Sequence, residues 1–296
     1  MHLHPDVAAA LRDGRAVVAL ESSVFAQGLP APANRAAADA MEGALRRHGA
    51  VPAVTAVVRG VPTLGLDAAD RERFLGRDGI LKLSARDLPW AVATGADGAT
   101  TVAAALALSV LGGLAVLATG GIGGVHRDAR ADESADLLEL ARSPVVVVCA
   151  GAKAVLDLPA TVERLESLGV GVLGYRTDEF PGFFTARTGL RVGAVAEAPR
   201  EVADAFRALR ALRRPGALLV VQPPPAPAAL EPDEVEAAVA RALEEARGAG
   251  VTGGALTPFL LSAVDRATDG RSLAANLALL EANATLAAEI AGALRA

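Results

Sequence analysis

Short runs of β-branched and aliphatic residues recur along the chain, and most are followed by a stretch with helical spacing. The clearest run is Val145-Val146-Val147-Val148-Cys149. It has no polar residue to give it a solvent face, which predicts a strand buried on both sides. Similar runs predict strands at 15–20, 54–58, 61–66, 80–83, 114–118, 170–173, 190–195 and 217–221. Helices are predicted at 34–48, 67–75, 100–111, 135–142, 154–168, 200–212, 231–249, 258–268 and 272–295. Asn34 and Ser134 are positioned as helix caps, and Arg59-Gly60 as a hairpin turn. Alternation of strand and helix from end to end predicts an α/β fold: three α/β/α layers around a mixed, largely parallel sheet, in one domain over 1–296. The hairpin supplies the antiparallel part.

Composition narrows this picture. Hydrophobic residues make up 52% of the 296 and aromatics 3%, so the core is predicted to be mostly Ala, Val and Leu. The net charge is −5 with both signs dispersed, which argues against nucleic acid as a partner. The uncharged stretch 99–125 is long enough to cross a bilayer, but Gly112-Gly113 splits it into a helix and a strand, so no membrane span is predicted. The N-terminal residues lack the apolar run of a signal peptide, and the lone Cys149 sits in an apolar setting; both fit a cytoplasmic protein. Of 29 basic residues only Lys82 and Lys153 are lysine. Arginine stays charged, whereas a desolvated lysine can act as an amine nucleophile.

Four groups of residues could carry chemistry. The loop Thr119-Gly120-Gly121-Ile122-Gly123-Gly124 follows a predicted strand and exposes backbone N–H groups to an anion, with His126 and Arg127 adding donors. The alternative to an anion cradle is a tight structural turn, the less favoured of the two. Asp128, Asp132, Glu133 and Asp136 suit a hard cation such as Mg²⁺ or Mn²⁺, or else a solvated helix start. Glu21 ends an apolar strand, positioned for proton transfer or as a surface turn residue. Lys153 follows the Val145–Cys149 run. Ligands in open α/β sheets collect beyond the carboxyl ends of the strands. If these strands are parallel, Glu21, the glycine loop and Lys153 meet at one edge. An amine, an acid and a phosphate cradle together point to Schiff-base chemistry on a sugar phosphate.

With these residues in place, the chain resembles the pseudouridine-5′-phosphate glycosidases, which include the indigoidine-cluster protein A group. The resemblance rests on Ala19-Leu20-Glu21-Ser22-Ser23, Gly28-Leu29-Pro30, Lys82-Leu83-Ser84, Arg86-Asp87-Leu88-Pro89 and Gly98-Ala99-Thr100-Thr101-Val102-Ala103. It continues through the 118–127 loop, Cys149-Ala150-Gly151-Ala152-Lys153, Gly174-Tyr175-Arg176-Thr177-Asp178-Glu179-Phe180-Pro181 and Thr257-Pro258-Phe259-Leu260-Leu261. It implies reversible cleavage of the C–C glycosidic bond of pseudouridine 5′-phosphate to uracil and ribose 5-phosphate. It also implies that Lys153 forms a covalent adduct with C1′ of the ring-opened ribose and that Glu21 moves the proton. Lys82, Val102, Ser134, Ala135 and Asp136 match substrate-contacting positions, with His126 and Asn276 as further contacts and Asn283 as another candidate. Asp132 falls where the family holds Mn²⁺, with Mg²⁺ as the substitute, and the family resembles a homotrimer. The chain departs at Gln27, where His is expected, and at Ser23, where Thr is expected. The segment before Ser134 is about two residues short, which makes Asp128 the alternative metal ligand. Two other readings stand beside this one: a different Schiff-base enzyme on a sugar phosphate, such as an aldolase or a pigment-pathway glycosidase with another base, and a non-catalytic sugar-phosphate-binding protein.

Overall fold

The computed structural model describes residues 1–127, 132–251 and 256–295. Among them an eleven-stranded sheet forms the centre. Seven neighbouring strands are parallel, in the order Val51–Val58, Val17–Glu21, Val116–Ala118, Val146–Cys149, Leu218–Val221, Gly171–Tyr175 and Ala194–Ala196. Val61–Leu64 turns back antiparallel on Val51–Val58 through the predicted hairpin, where Arg59 and Gly60 both have positive φ. His2–Leu3 then adds to that edge. Val51–Val58 outruns its neighbour Val17–Glu21, and Gly98–Thr100 takes over the vacated edge, antiparallel, with Leu81–Leu83 beside it. The sheet is thus mixed and mostly parallel, with helices on both faces, as the alternation predicts.

Alanine governs the packing. The helix Arg271–Ala293 buries Ala275, Ala284, Ala287, Ala288 and Ala291 with Leu279, Leu280 and Ile290. It lies over the three strands Val17–Glu21, Val116–Ala118 and Val146–Cys149, flanked by Ala33–Arg47 and Pro199–Ala211. Small side chains let the helices approach closely, so few aromatics are needed to fill the interior. Val102–Leu111 covers the opposite face of Val17–Glu21 and Val116–Ala118. The 99–125 stretch divides at Gly112-Gly113 as read from the sequence, and no described helix is long and apolar enough to cross a membrane.

Several boundaries differ. The helix predicted from Ala154 begins at Leu158, because Asp157 caps the Ala160 N–H at 3.0 Å and Pro159 occupies the first turn. The four residues before it form a turn and a two-residue strand, Leu156–Asp157, paired with Val125–His126. Asn34 is no cap: it lies inside the first turn, 2% exposed, donating to the carbonyls of Phe25 and Leu75 at 3.0 and 3.1 Å. Two helices go beyond those the spacing predicts, Pro5–Arg12 and Leu88–Thr94, each with proline in its first turn.

Candidate active site

The strands ending at Glu21, Ala118 and Cys149 are parallel neighbours, so their exits share one edge of the sheet. Two of those exits stay paired beyond the strands. Thr119 N–H donates to the Val148 carbonyl at 3.0 Å, Ala150 N–H to Gly120 at 2.9 Å, Ile122 N–H to Gly151 at 3.0 Å and Lys153 N–H to Ile122 at 3.1 Å. The glycine loop and the segment carrying Lys153 are therefore one two-stranded extension of the core. Gly151 makes this possible. Its φ is +82°, and a Cβ there would lie 2.0 Å from the Pro181 carbonyl oxygen.

Beyond this edge lies a cavity of about 380 Å³. Its wall includes both predicted reactive groups, Glu21 and Lys153, together with Lys82, His126, Asp132, Ser134, Ala135, Asp136 and Asn276. Val102 is the exception: it is 1% exposed, and its neighbour Thr101 takes the place in the wall. Asp128 lies outside the described residues.

Glu21 is 3% exposed. Ser23 donates to its Oε2 at 3.0 Å, and Thr119 donates to its Oε1. Burial pushes its carboxyl above the ordinary range and outweighs the opposing pull of Lys153 and the Thr119 hydroxyl, while Asp136 adds to the rise. A carboxyl whose pKa is raised holds its proton to higher pH than a free one, which suits proton donation. Behind it, Ser22, Thr55 and Thr100 form a fully buried hydroxyl cluster: Ser22 Oγ donates to the Thr55 carbonyl at 2.6 Å, and Thr55 Oγ1 and Thr100 Oγ1 are 2.7 Å apart. The cluster ties the end of the Glu21 strand to the branch where Lys82 pairs with Ala99. Lys82 reaches the open cavity and remains solvent-exposed. The surrounding walls still displace enough water to lower its pKa, and the charge of Lys153 lowers it further.

Two helix starts face the cavity. Thr101 caps Val102–Leu111, and Ser134 caps Ala135–Leu140, accepting from Asp136 N–H at 3.2 Å. Asp136, 4% exposed, binds them together. Its Oδ1 accepts from Ala103 N–H at 2.9 Å and its Oδ2 from Gly123 N–H at 2.8 Å. Its role within the protein is to brace the glycine loop, a function that residue type alone does not reveal. Asn283 is likewise internal, donating to the carbonyls of Thr119 and Gly120 from below and accepting from Gln222. Arg127 turns away from the cavity to Glu236, at 2.5 and 2.9 Å, so it is no donor to a ligand there. Gln27 does line the wall, with its amide N–H donating to the Ile80 carbonyl at 3.2 Å.

The imidazole Nδ1 of His126 is 3.0 Å from an Asp132 carboxylate oxygen, but the approach lacks hydrogen-bond geometry, leaving Nδ1 without a partner among the described residues. The described residues contain no group of three His, Cys, Asp or Glu side chains arranged to hold a metal. A single exposed carboxylate such as Asp132 fits a divalent ion that keeps most of its water, which is how Mg²⁺ commonly binds.

Comparison with known proteins finds relatives over nearly the whole chain. The family model described as "Indigoidine synthase A like protein" matches residues 6–293. A protein of Gemmatimonas aurantiaca named pseudouridine-5′-phosphate glycosidase is 63% identical over 285 residues, spanning 96% of this chain and 93% of its own. One of the same name from Herpetosiphon aurantiacus is 51% identical over 294 residues, spanning 99% and 97%. Among solved structures, the prealnumycin C-glycosynthase AlnA in complex with ribulose 5-phosphate matches with a TM-score of 0.92 at 37% identity, covering 99% of this chain and 96% of that one. An indigoidine synthase A-like protein from Thermotoga maritima matches with a TM-score of 0.90 at 37% identity, covering 96% and 94%.

Proposed function

The chain belongs to the indigoidine synthase A-like family, and on that premise we propose that it is a pseudouridine-5′-phosphate glycosidase, cleaving the C–C bond between uracil and ribose 5-phosphate reversibly. The observation that carries the reading is the meeting of an amine, Lys153, and a buried acid, Glu21, at one sheet edge beside a glycine loop.

A C-glycoside has no oxygen or nitrogen leaving group to protonate, so a carboxylate pair alone is poorly matched to it. An amine solves the problem. The Lys153 nitrogen bonds to C1′ as the C1′–O4′ bond opens, and O4′ takes the proton that the nitrogen loses, leaving a neutral secondary amine. The nitrogen lone pair then drives out the base carbon, which takes a proton from Glu21, and an iminium remains at C1′. Water hydrolyses the iminium to ribose 5-phosphate and frees Lys153. Lys82 supplies positive charge for the phosphate or the ribose hydroxyls. His126 and Asn276 contact the substrate from the cavity wall. Asp132 is the proposed protein ligand of Mn²⁺, or Mg²⁺ in its place, and the ion would add positive charge beside the phosphate.

Incubation with pseudouridine 5′-phosphate and Mn²⁺ should release uracil. Borohydride added with ribose 5-phosphate should tag Lys153, and Lys153→Arg should fold but lose turnover by ~10³-fold or more. Turnover with Lys153 unmodified would overturn the mechanism. The likeness to a C-glycosynthase favours one second reading, the same lysine chemistry with another aglycone. Release of ribose 5-phosphate from a different C-glycoside, with no uracil formed from pseudouridine 5′-phosphate, would select it. We further propose a cytoplasmic homotrimer that acts on small molecules and engages neither membrane nor nucleic acid. Trp90, 72% exposed, is a candidate subunit contact, and light scattering tests the mass.

A further inference from the structure

We propose that Arg127 is the positioning residue of the nucleophile, holding the Lys153 turn from behind. Its place after the glycine loop suggests a donor to the ligand. Its side chain instead lies in a separate cavity of about 580 Å³, beside Asp157 and Glu236.

There the guanidinium joins three segments. Nε–H donates to the Leu156 carbonyl at 3.1 Å, and Nη2–H reaches the Ala154 carbonyl at 3.4 Å. Nη1 and Nη2 grip the two carboxylate oxygens of Glu236 at 2.5 and 2.9 Å. Glu236 belongs to the helix Pro232–Gly248. Residues 153–156 form a closed turn, with Leu156 N–H donating to the Lys153 carbonyl at 3.0 Å. On its front side the turn is fixed where Lys153 N–H meets Ile122. On its rear, two carbonyls are fixed by Arg127. Backbone freedom at Lys153 is thereby removed from both directions.

Arginine is required by this geometry. A planar fork can bind a carboxylate through two parallel N–H groups while its Nε–H serves a carbonyl; an ammonium offers a point charge with no such directions. The Arg127 guanidinium also holds the Glu236 carboxyl below its usual range, so the clamp stays charged and closed at neutral pH. Rate is sensitive to such placement, because a displacement of about 1 Å at the reacting atom costs on the order of 10²-fold.

The proposal rests on the lysine-adduct reading above, and its test keeps the two apart. The wild type, Arg127→Lys, Glu236→Gln and the double variant are compared by kcat, KM, thermal midpoint and the rate at which borohydride traps ribose 5-phosphate on Lys153. Arg127→Lys should lower kcat and the trapping rate together, by ~10- to 100-fold, with KM changed less than about twofold. Glu236→Gln should lose less, and the double variant no more than Arg127→Lys alone. A purely structural residue would lower the thermal midpoint and leave trapping in the folded protein unchanged. Wild-type trapping and kcat in Arg127→Lys would overturn the proposal, as would a raised KM with unchanged kcat, which would place Arg127 on the substrate. An active wild type that is never trapped would overturn the lysine adduct itself, and the positioning role with it.

Discussion

Thr119, the first residue beyond its strand, donates its hydroxyl to Oε1 of Glu21, the last residue of the strand alongside. That bond stabilises the ionised carboxylate and works against the burial that raises the Glu21 pKa. Thr119→Val removes it, so the pKa should climb further. If the protonated acid is the active form, activity falls as pH rises through this pKa. The descending limb of the kcat/KM profile should therefore move to higher pH in the variant. A limb that stays put or moves down would count against Glu21 as the acid.

Asp136 satisfies the N–H groups of Ala103 and Gly123 at once. Asparagine has one acceptor oxygen, and its NH₂ would face the second N–H. Asp136→Asn should cost about 1–3 kcal/mol, read as a lower melting temperature, and should weaken substrate binding by loosening the glycine loop. An unchanged melting curve would show that the loop holds without this brace.

Two glycines make an internal control. At Gly151 an added methyl meets the Pro181 carbonyl oxygen at 2.0 Å under a φ of +82°, so Gly151→Ala should destabilise by about 1–3 kcal/mol and displace Lys153, two residues on. At Gly292, inside the last helix, an added methyl meets nothing within 4 Å, so Gly292→Ala should stabilise by about 0.5–1 kcal/mol and leave turnover unchanged. Chemical denaturation of the pair measures both signs.

Cys149 is fully buried, and burial pushes its thiol up to about 12. The native protein should give no reaction with a thiol reagent at pH 8, and one equivalent after unfolding. The unfolded chain ionises this thiol near its ordinary value of about 8.5. Stability from this group is therefore complete below that value and declines as pH rises toward about 12, by about 1.4 kcal/mol per unit. A native thiol that reacts promptly at pH 8 would contradict the burial.

The parallel core was legible because Val146–Cys149, Val17–Glu21 and Leu218–Val221 are apolar on both faces, a pattern that few other elements produce. Parallelism then placed Glu21 and Lys153 together with no further information. Gly98–Thr100 was hidden because three residues show no periodicity, and its identity depends on an edge left free by a longer strand. Pro5–Arg12 was hidden because it buries only Val7 and Ala10. At the site, the internal bonds of Asp136 and Arg127 were hidden for a common reason. A side chain's chemistry is visible in sequence, but its direction is set by the backbone groups that happen to lie within reach. Thr119 gave a usable signal, since it is the last polar residue before the glycines, next to the strand that carries Glu21.

Both lysines of the chain open into one cavity. No other side chain in the sequence carries a primary amine. A reagent that acylates amines thus has almost nowhere else to react, and the mass of the intact protein becomes an occupancy meter for the cavity. Each acyl group added to a side-chain amine reports on Lys82 or Lys153, and a bound sugar phosphate would register as protection. The molecule arrives with its own probe already installed, and no residue has to be introduced to read it.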